Sequence, residues 1–563
     1  MFNHQKYQPF PAIKKINRQW PNNAIEKAPM WCAVDLRDGN QALIEPMSVA
    51  QKQTMWQLML DIGFKHIEVG FPSASQTDFD FVRWLIEQNQ IPEDVTIQVL
   101  VQARDALIER TFEALEGCKQ AIVHVYNSVS PVQRNKVFKL DKQGIKNIAI
   151  KGAEKVKTEA QKYPNTQWTF QYSPESFSST EVDFSVDVCN AVIAVWQPSP
   201  EHKIILNLPA TIECAGPNVF ADQVESFCDA IDKRDSVIIS IHTHNDRGCA
   251  VAAAEMAILA GADRIEGTLM GNGERTGNMD LITMAMNLYS QGVDPQLDLA
   301  DAARITRTVT ECTQIPTHAR HPWVGDLVYT AFSGSHQDAI KKCLDQQQPG
   351  QPWDVAYLPI DPQDIGRDYQ SVIRVNSQSG KGGVAYILEH SFGISLPRWM
   401  QVEVSQVVQK YSEDKQCEVD AETIYEIFEQ HFMICNGHYQ LGNYQVSRDM
   451  QASAEQQEKI QASVSEQGQP IELHGNASGP IDAFCSALAE QLSVTIEVSQ
   501  YSQSVLIGSG VDHNGADALA CVQVNVDGEK YINAAIAGDS LGATLQAILS
   551  TVNRYMASQV QAA

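Results

Sequence analysis

Three short stretches hold most of the residues able to do chemistry. In Ile241-His242-Thr243-His244-Asn245-Asp246, two imidazoles stand two residues apart. Strand side chains alternate with period 2, so His242 and His244 share a face. At that spacing they either chelate one divalent metal or are satisfied by hydrogen bonds. Asp35-Leu36-Arg37-Asp38-Gly39-Asn40-Gln41 carries a charged Arg-Asp pair before a glycine. Asp38 can give a carboxylate to the same metal and leave Arg37 facing an anionic substrate; the plainer alternative is a salt bridge in a turn. In Gly271-Asn272-Gly273-Glu274-Arg275-Thr276-Gly277-Asn278, glycines without Cβ let the backbone approach a ligand, or simply make a flexible loop. Other polar residues recur at the ends of apolar runs: His124 in VHVYNS, Ser173 and Glu175 in QYSPE, and Asn207, Pro209 and Thr211 in NLPAT.

These residues need a scaffold that brings them to one place. Eight short apolar or β-branched runs recur, at Trp31–Leu36, His66–Gly70, Thr96–Val101, Ala121–Tyr126, Gln167–Gln171, Lys203–Leu208, Val237–His242 and Asp263–Gly267. Helical periodicity fills the gaps. Ser48 to Ile62 has a capping box in Ser48 and Gln51 and a stop at Gly63, and Cys249 to Leu259 is closed by Gly261. Strands alternating with helices imply a parallel sheet, and eight repeats in roughly 250 residues imply a closed (β/α)₈ barrel. An open doubly wound sheet fits less well, because no GxGxxG follows the first strand. In a barrel the candidate residues all fall at the C-terminal ends of strands, where barrel active sites form.

The pattern changes near Asp326. Asp326–Leu344 and Ala421–His431 read as helices, separated by Pro- and Gly-rich pieces at Pro349–Pro352 and Ser379–Gly383. Gln451 to Gly468 reads as a polar helix or tether. The last part reads as a small α+β domain with an internal duplication. Its strands are expected at Pro470–Leu473, Val494–Ser499, Ser504–Ile507, Ala518–Val526 and Lys530–Ile536, and its helices at Pro480–Leu492 and Ser540–Tyr555. The expected division is 1–325, barrel with an N-terminal extension; 326–450, helical linker; and 451–563, α+β domain.

Composition limits the function. The 563 residues carry 42 basic and 68 acidic side chains, a formal charge of −26. That field repels nucleic acid and anionic membranes, but it allows a local basic pocket for one phosphorylated ligand. Twelve scattered cysteines without a CxxC pair argue for free thiols in a reducing compartment. The N-terminal stretch has no apolar core, and Ala250–Ala262 is too short to span a bilayer. The expectation is a cytoplasmic protein.

The motifs LRDGNQ, HVYNS, QYSPE, NLPATIE, HTHND and GNGERTGN, in this order, resemble the 2-isopropylmalate synthase family in its long form. The resemblance continues through FSGSHQDAI, YLPIDPQDIGRDYQ and RVNSQSGKGG into the C-terminal part. It implies an acyltransferase that condenses acetyl-CoA with 2-oxoisovalerate and water, giving 2-isopropylmalate and CoA in leucine biosynthesis. It implies metal ligands at Asp38, His242, His244 and Asn278, a set that suits Mg²⁺, Mn²⁺ or Zn²⁺, with K⁺ as a further activator. The implied oxo-acid pocket is Arg37, Leu100, His124, Ser173, Asn207, Pro209 and Thr211. The implied catalytic residues are Arg37, Glu175, His336 and Tyr369, with Glu175 and His336 both candidates for the base and His336 reaching the site from the partner in a homodimer. For CoA, the expected contacts are Arg134 and Lys136, with Lys139, and the backbone at Gly271 and Gly273. The C-terminal domain resembles a leucine-binding regulatory domain, with Gly475, Asn476, Gly479, Tyr501 and Ala535 as candidate contacts and leucine as feedback inhibitor.

Relatives with the same metal pattern offer alternatives. A hydroxymethylglutaryl-CoA lyase would carry a cysteine in the glycine-rich loop, and a carboxyltransferase a lysine near FQYSPE; neither is present. Citramalate synthase and homocitrate synthase-like enzymes, using another 2-oxo acid, stay open. So does a metal-containing amino-acid sensor without catalysis.

Overall fold

The computed structural model describes residues 4–562 apart from 9, 12, 14, 16, 368, 370–380, 434–436, 467 and 507–516. The expected stretches at Ser379–Gly380 and at Ile507 lie outside the described residues. The chain divides into two compact units, Met1–Val328 with Asp364–Gly366, and Tyr329–Gln363 with Arg367–Ala563.

The first unit is a (β/α)₈ barrel. Its strands are β1 Met30–Ala33, β2 His66–Gly70, β3 Thr96–Gln102, β4 Gln120–Ser128, β5 Gln167–Glu175, β6 Ile204–Ala210, β7 Val237–Thr243 and β8 Arg264–Gly267. All neighbours pair in parallel, and β1 closes on β8 with Ala33 beside Gly267. The run Trp31–Leu36 is a strand only to Ala33. At Val34 the chain turns, and its carbonyl accepts the backbone N–H of Arg37, Asp38 and Gly39. That tight turn throws the Arg-Asp pair over the barrel mouth. The helix Val49–Ile62 begins as its residues dictate: Ser48 Oγ accepts the Gln51 N–H, and Gln51 Oε1 accepts the Ser48 N–H. Gly63 ends it in the left-handed region, at φ 106°.

The second unit holds the helices Gly334–Leu344, Lys381–Phe392, Arg398–Lys415 and Ala421–Phe428. Two three-stranded antiparallel sheets follow. The first is β9 Tyr439–Arg448, β10 Glu458–Glu466 and β11 Gln469–Ala477; the second is β12 Ile496–Val505, β13 Ala518–Val526 and β14 Glu529–Ala537. A helix follows each, Pro480–Leu492 and Ser540–Ala562, so the unit repeats a three-strands-then-helix plan. Ile460, Val464, Leu473, Phe484, Val522, Leu545 and Val552 belong to one core.

Several expectations here are corrected. Gln451–Gly468 is neither helix nor tether: β10 is the central strand of its sheet. Its alternation is real, with Ile460, Ala462 and Val464 buried, but the polar residues between them hide it in composition. The strand β9 lies where a helical linker is expected, so the boundary at 450 falls after the first strand of the sheet. Between the two expected runs there is no break: Ile496–Val505 is one strand, β12, paired with β13 along its length with a bulge between Val498 and Gln500. The helix expected from Asp326 starts at Gly334. Among the described residues no helix is long and apolar enough to cross a membrane.

Candidate active site

The three motifs converge at the C-terminal mouth of the barrel. Asp38 Oδ2 lies 3.1 Å from Nε2 of His242 and 3.9 Å from Nε2 of His244. One ligand atom from each of Asp38, His242 and His244 lies within 4.8 Å of the others, and all three residues are buried. Asn278 pairs with His244 through an isolated β-bridge, which brings the glycine-rich loop to the same point. Asp38 Oδ2, His244 Nδ1 and Asn278 Oδ1 are buried and have no hydrogen-bond partner. Unpartnered buried polar atoms are costly, about 1–3 kcal/mol each, and a divalent cation held among these side chains would offset part of that cost. The residues present therefore fit a metal with mixed nitrogen and oxygen ligands.

The surroundings prepare this donor set. His242 Nδ1 lies 3.0 Å from Glu266 Oε2, which leaves Nε2 free to face Asp38. Burial disfavours the charged form of His242, but the carboxylates of Asp38 and Glu266 outweigh it and raise the pKa to about 9. Burial and the neighbouring charge of His242 lower His244 to about 4. Burial works against ionised Asp38 as well, yet Arg37 and His242 hold its carboxyl far below the usual range.

Beside the donors opens a cleft of about 190 Å³. Arg37, Leu100, His124, Ser173, Glu175, Asn207, Pro209 and Thr211 all line it, together with Asp38, His242 and His244. Arg37 Nη1 donates to Asp38 Oδ1 at 2.7 Å, and its Nε donates to Glu68. His124 Nε2 lies 2.7 Å from Ser173 Oγ, and Asn207 Nδ2 donates to the same oxygen at 3.0 Å. Glu175 accepts from Ser128 Oγ, and Thr211 Oγ1 accepts the Ser176 N–H.

Sequence reasoning missed part of this site. Phe71, Tyr126, Gln41, Glu274 and Arg275 also line the cleft. Below it, Glu68, Gln98, Gln171, Arg264 and Glu266 are fully buried inside the barrel. Arg264 donates to Glu266 and Gln98 at 2.7 Å each, and Gln171 donates to Glu266 at 2.7 Å. The available signal was charge inside a short strand run, Glu68 in HIEVG and Arg264 with Glu266 in RIEG. Such a residue is almost never fully buried without a partner.

Comparison with known proteins agrees with the motifs. The HMGL-like family matches residues 28–309, alpha-isopropylmalate synthase, post-catalytic domain-like, residues 326–389, and the LeuA allosteric (dimerisation) domain residues 418–556. A 2-isopropylmalate synthase of Alcanivorax borkumensis is 53% identical over 561 residues, 100% of this chain and 99% of its own. Those of Pseudomonas entomophila and Azotobacter vinelandii are each 52% identical, over 99% of this chain and 98% of theirs. The chain belongs to the 2-isopropylmalate synthase family.

Membership brings the remaining family-implied residues into view. His336 and Tyr369 lie in the second unit. The His336 ring stacks on Tyr357 with centroids 4.1 Å apart, and the Tyr369 hydroxyl donates to Asp361. Of the CoA contacts expected for a 2-isopropylmalate synthase, Arg134 is already paired. Its guanidinium makes a two-pronged ion pair with Glu181, at 2.8 and 3.0 Å, and donates to the Val129 carbonyl. A partner 47 residues away is invisible to local spacing. Lys136 and Lys139 stay exposed. The glycine-rich loop closes on itself more than on open space. A Cβ at Gly273 would lie 2.2 Å from Asn278 Nδ2, and one at Gly277 would lie 1.9 Å from the Gly271 carbonyl.

The five candidate leucine contacts lie on several elements of the second unit, β11, the start of the helix Pro480–Leu492, β12 and β14. Gly475 and Asn476 line an open groove with Gln445, Lys459 and His474. Gly479 precedes the helix Pro480–Leu492, and Tyr501 is 58% exposed on β12. Ala535 is 1% exposed in the core, which corrects its assignment as a ligand contact. Its small apolar side chain reads equally well as packing, and packing is what it does.

Proposed function

We propose that this protein condenses acetyl-CoA with 2-oxoisovalerate and water to 2-isopropylmalate and CoA, in leucine biosynthesis. The observation that carries the reading is the cluster of buried donors on Asp38, His242 and His244, one ligand atom of each within 4.8 Å of the others, beside Arg37 in one cleft. Full-length relatives named for that activity support it.

Asp38, His242, His244 and Asn278 would hold a divalent cation, Mg²⁺ in the first instance, or Mn²⁺ or Zn²⁺. When bound, it would supply Lewis acidity toward the ketone of a 2-oxo acid. Arg37, pinned by Asp38 and Glu68, directs positive charge to the oxygen that becomes an alkoxide. Ser173, Asn207 and Thr211 orient the acid, and Leu100 and Pro209 face its branched side chain. A base takes one proton from the acetyl methyl group, with Glu175 or the partner subunit's His336 in that role and Tyr369 in support. The enolate carbon then bonds to the ketone carbon, and the oxygen takes up a proton. Water adds to the thioester carbonyl and the CoA thiol leaves. Lys136 and Lys139 offer charge for the CoA phosphates. The LeuA-type region is the reading's place for leucine inhibition and for homodimer contact, and the compartment is the cytoplasm.

Thiol release from acetyl-CoA tests the proposal. It should require a divalent metal and a 2-oxo acid, favour 2-oxoisovalerate over pyruvate, decline with leucine and vanish in His242→Ala. A clear preference for pyruvate would replace the substrate assignment with a citramalate synthase. No metal-dependent release with any oxo acid would sink the enzyme reading and favour a sensor.

A further inference from the structure

Two carboxylates lie fully buried in the barrel, Glu68 on β2 and Glu266 on β8. Each stands under an imidazole. Glu266 Oε2 is 3.0 Å from Nδ1 of His242, a metal-ligand candidate whose Nε2 faces Asp38. Glu68 Oε2 is 2.8 Å from Nδ1 of His124, but there Nε2 faces a hydroxyl, Ser173 Oγ at 2.7 Å, on the cleft wall. Glu68 also accepts from Nε of Arg37. One carboxylate thus braces two cleft residues from distant parts of the barrel, Arg37 in the turn after β1 and His124 on β4.

Simple rules place the protons. Burial alone would raise the Glu68 pKa, but Arg37 and the His124 bond outweigh it and leave it lowered. An ionised carboxylate only accepts hydrogen bonds, and at 2.8 Å it lies closer to Nδ1 of His124 than the Gln98 amide nitrogen at 3.3 Å, so Nδ1 carries a proton. Asn207 Nδ2 donates to Ser173 Oγ at 3.0 Å, which leaves the hydroxyl proton free to point at Nε2. The result is a carboxylate that orients an imidazole, which orients a hydroxyl.

We propose that Glu68 is a positioning residue that fixes His124 as its Nδ1–H tautomer and holds Arg37 against Asp38, so that Ser173 and Arg37 meet the oxo acid in one set geometry. The role in turnover rests on the condensation proposed above; the tautomer does not. Glu68→Gln keeps the shape of the side chain but replaces one carboxylate oxygen by an amide NH₂. With its oxygen kept on Arg37, the amide donates to Nδ1 and forces His124 into the Nε2–H tautomer.

Histidine-selective ¹⁵N labelling reads this without substrate, with His124→Gln assigning the resonance. The wild type should show a protonated Nδ1 and Glu68→Gln a protonated Nε2. In thiol-release kinetics, Glu68→Gln should lower kcat about 100-fold, the scale of a misplaced proton-handling group, while the KM for the oxo acid moves far less. In a His124→Gln background the same substitution should cost much less, because members of one network do not add. An unchanged tautomer in Glu68→Gln, wild-type kcat, or full additivity would overturn the proposal. If Glu68→Gln does not fold, a protonated Nε2 in the wild type overturns it alone, and a protonated Nδ1 upholds it. If the wild type releases no thiol while the tautomers behave as expected, the condensation reading falls and the bracing of His124 by Glu68 stands.

Discussion

At the residue scale, the site depends on atoms that lack partners. Removing one donor should therefore act on metal affinity before it acts on folding. Asp38→Asn is expected to weaken divalent-metal binding by at least about 10-fold, since one charge leaves the donor set. Calorimetric titration of the metal into the purified protein checks this. Chelation of the wild type should lower its Tm, because a cation bound only by the folded state at 100 times its Kd adds about 2.7 kcal/mol. Asp35 offers a second test. Burial, opposed by the Leu269 N–H bond and assisted by the charge of Asp280, raises its carboxyl to about 8. Between the ordinary value of 3.8 and about 8, the folded protein keeps a proton that the unfolded chain loses. Stability from this group therefore falls as pH rises through that window, by up to about 1.4 kcal/mol per unit. Asp35→Asn removes the dependence, so its Tm advantage over the wild type should grow from pH 5 to pH 8. A constant difference would contradict it.

At the scale of elements, much of the barrel was legible. Ser48, Gln51 and Gly63 state both ends of a helix in local terms, and the structure makes the bonds they imply. The eight apolar runs sit on the eight strands because a parallel strand covered on both faces is mostly apolar. The polar barrel interior was not legible, because Glu68 and Glu266 are tolerable only through partners on other strands. The second unit was harder. β9 and β10 are rich in Gln, Ser and Asn, and their backbone bonds come from pairing, whatever the side chains. The glycine-rich loop makes its own prediction. Gly273→Ala would push a methyl group into Asn278 Nδ2, 2.2 Å away. Metal affinity should fall with little change in far-UV circular dichroism, and an unchanged affinity would show that the loop can give way.

At the scale of the whole molecule, the charge of −26 opposes an anionic CoA ester. Screening confines that opposition: the Debye length is about 10 Å at 0.1 M salt, so cations near the mouth outweigh distant acids. The double substitution Lys136→Glu and Lys139→Glu is expected to raise the KM for acetyl-CoA several-fold and leave that for the 2-oxo acid unchanged. The effect should shrink as salt is added. Steady-state kinetics at two ionic strengths checks it, and an unaltered KM would place the phosphates elsewhere. Arg134, the third basic residue of that segment, is already neutralised by Glu181.

The sequence by itself determined the barrel and its strand-end motifs, because period and capping are local properties carried by neighbouring residues. The two histidines share a face by strand geometry alone. Only the tertiary structure decided which charges are available and which are used up. Arg134 is committed to Glu181, Ala535 to the core, and Glu68 to both Arg37 and His124. Those outcomes depend on partners distant in the chain. They are settled by burial, which makes an unpaired charge too costly to keep.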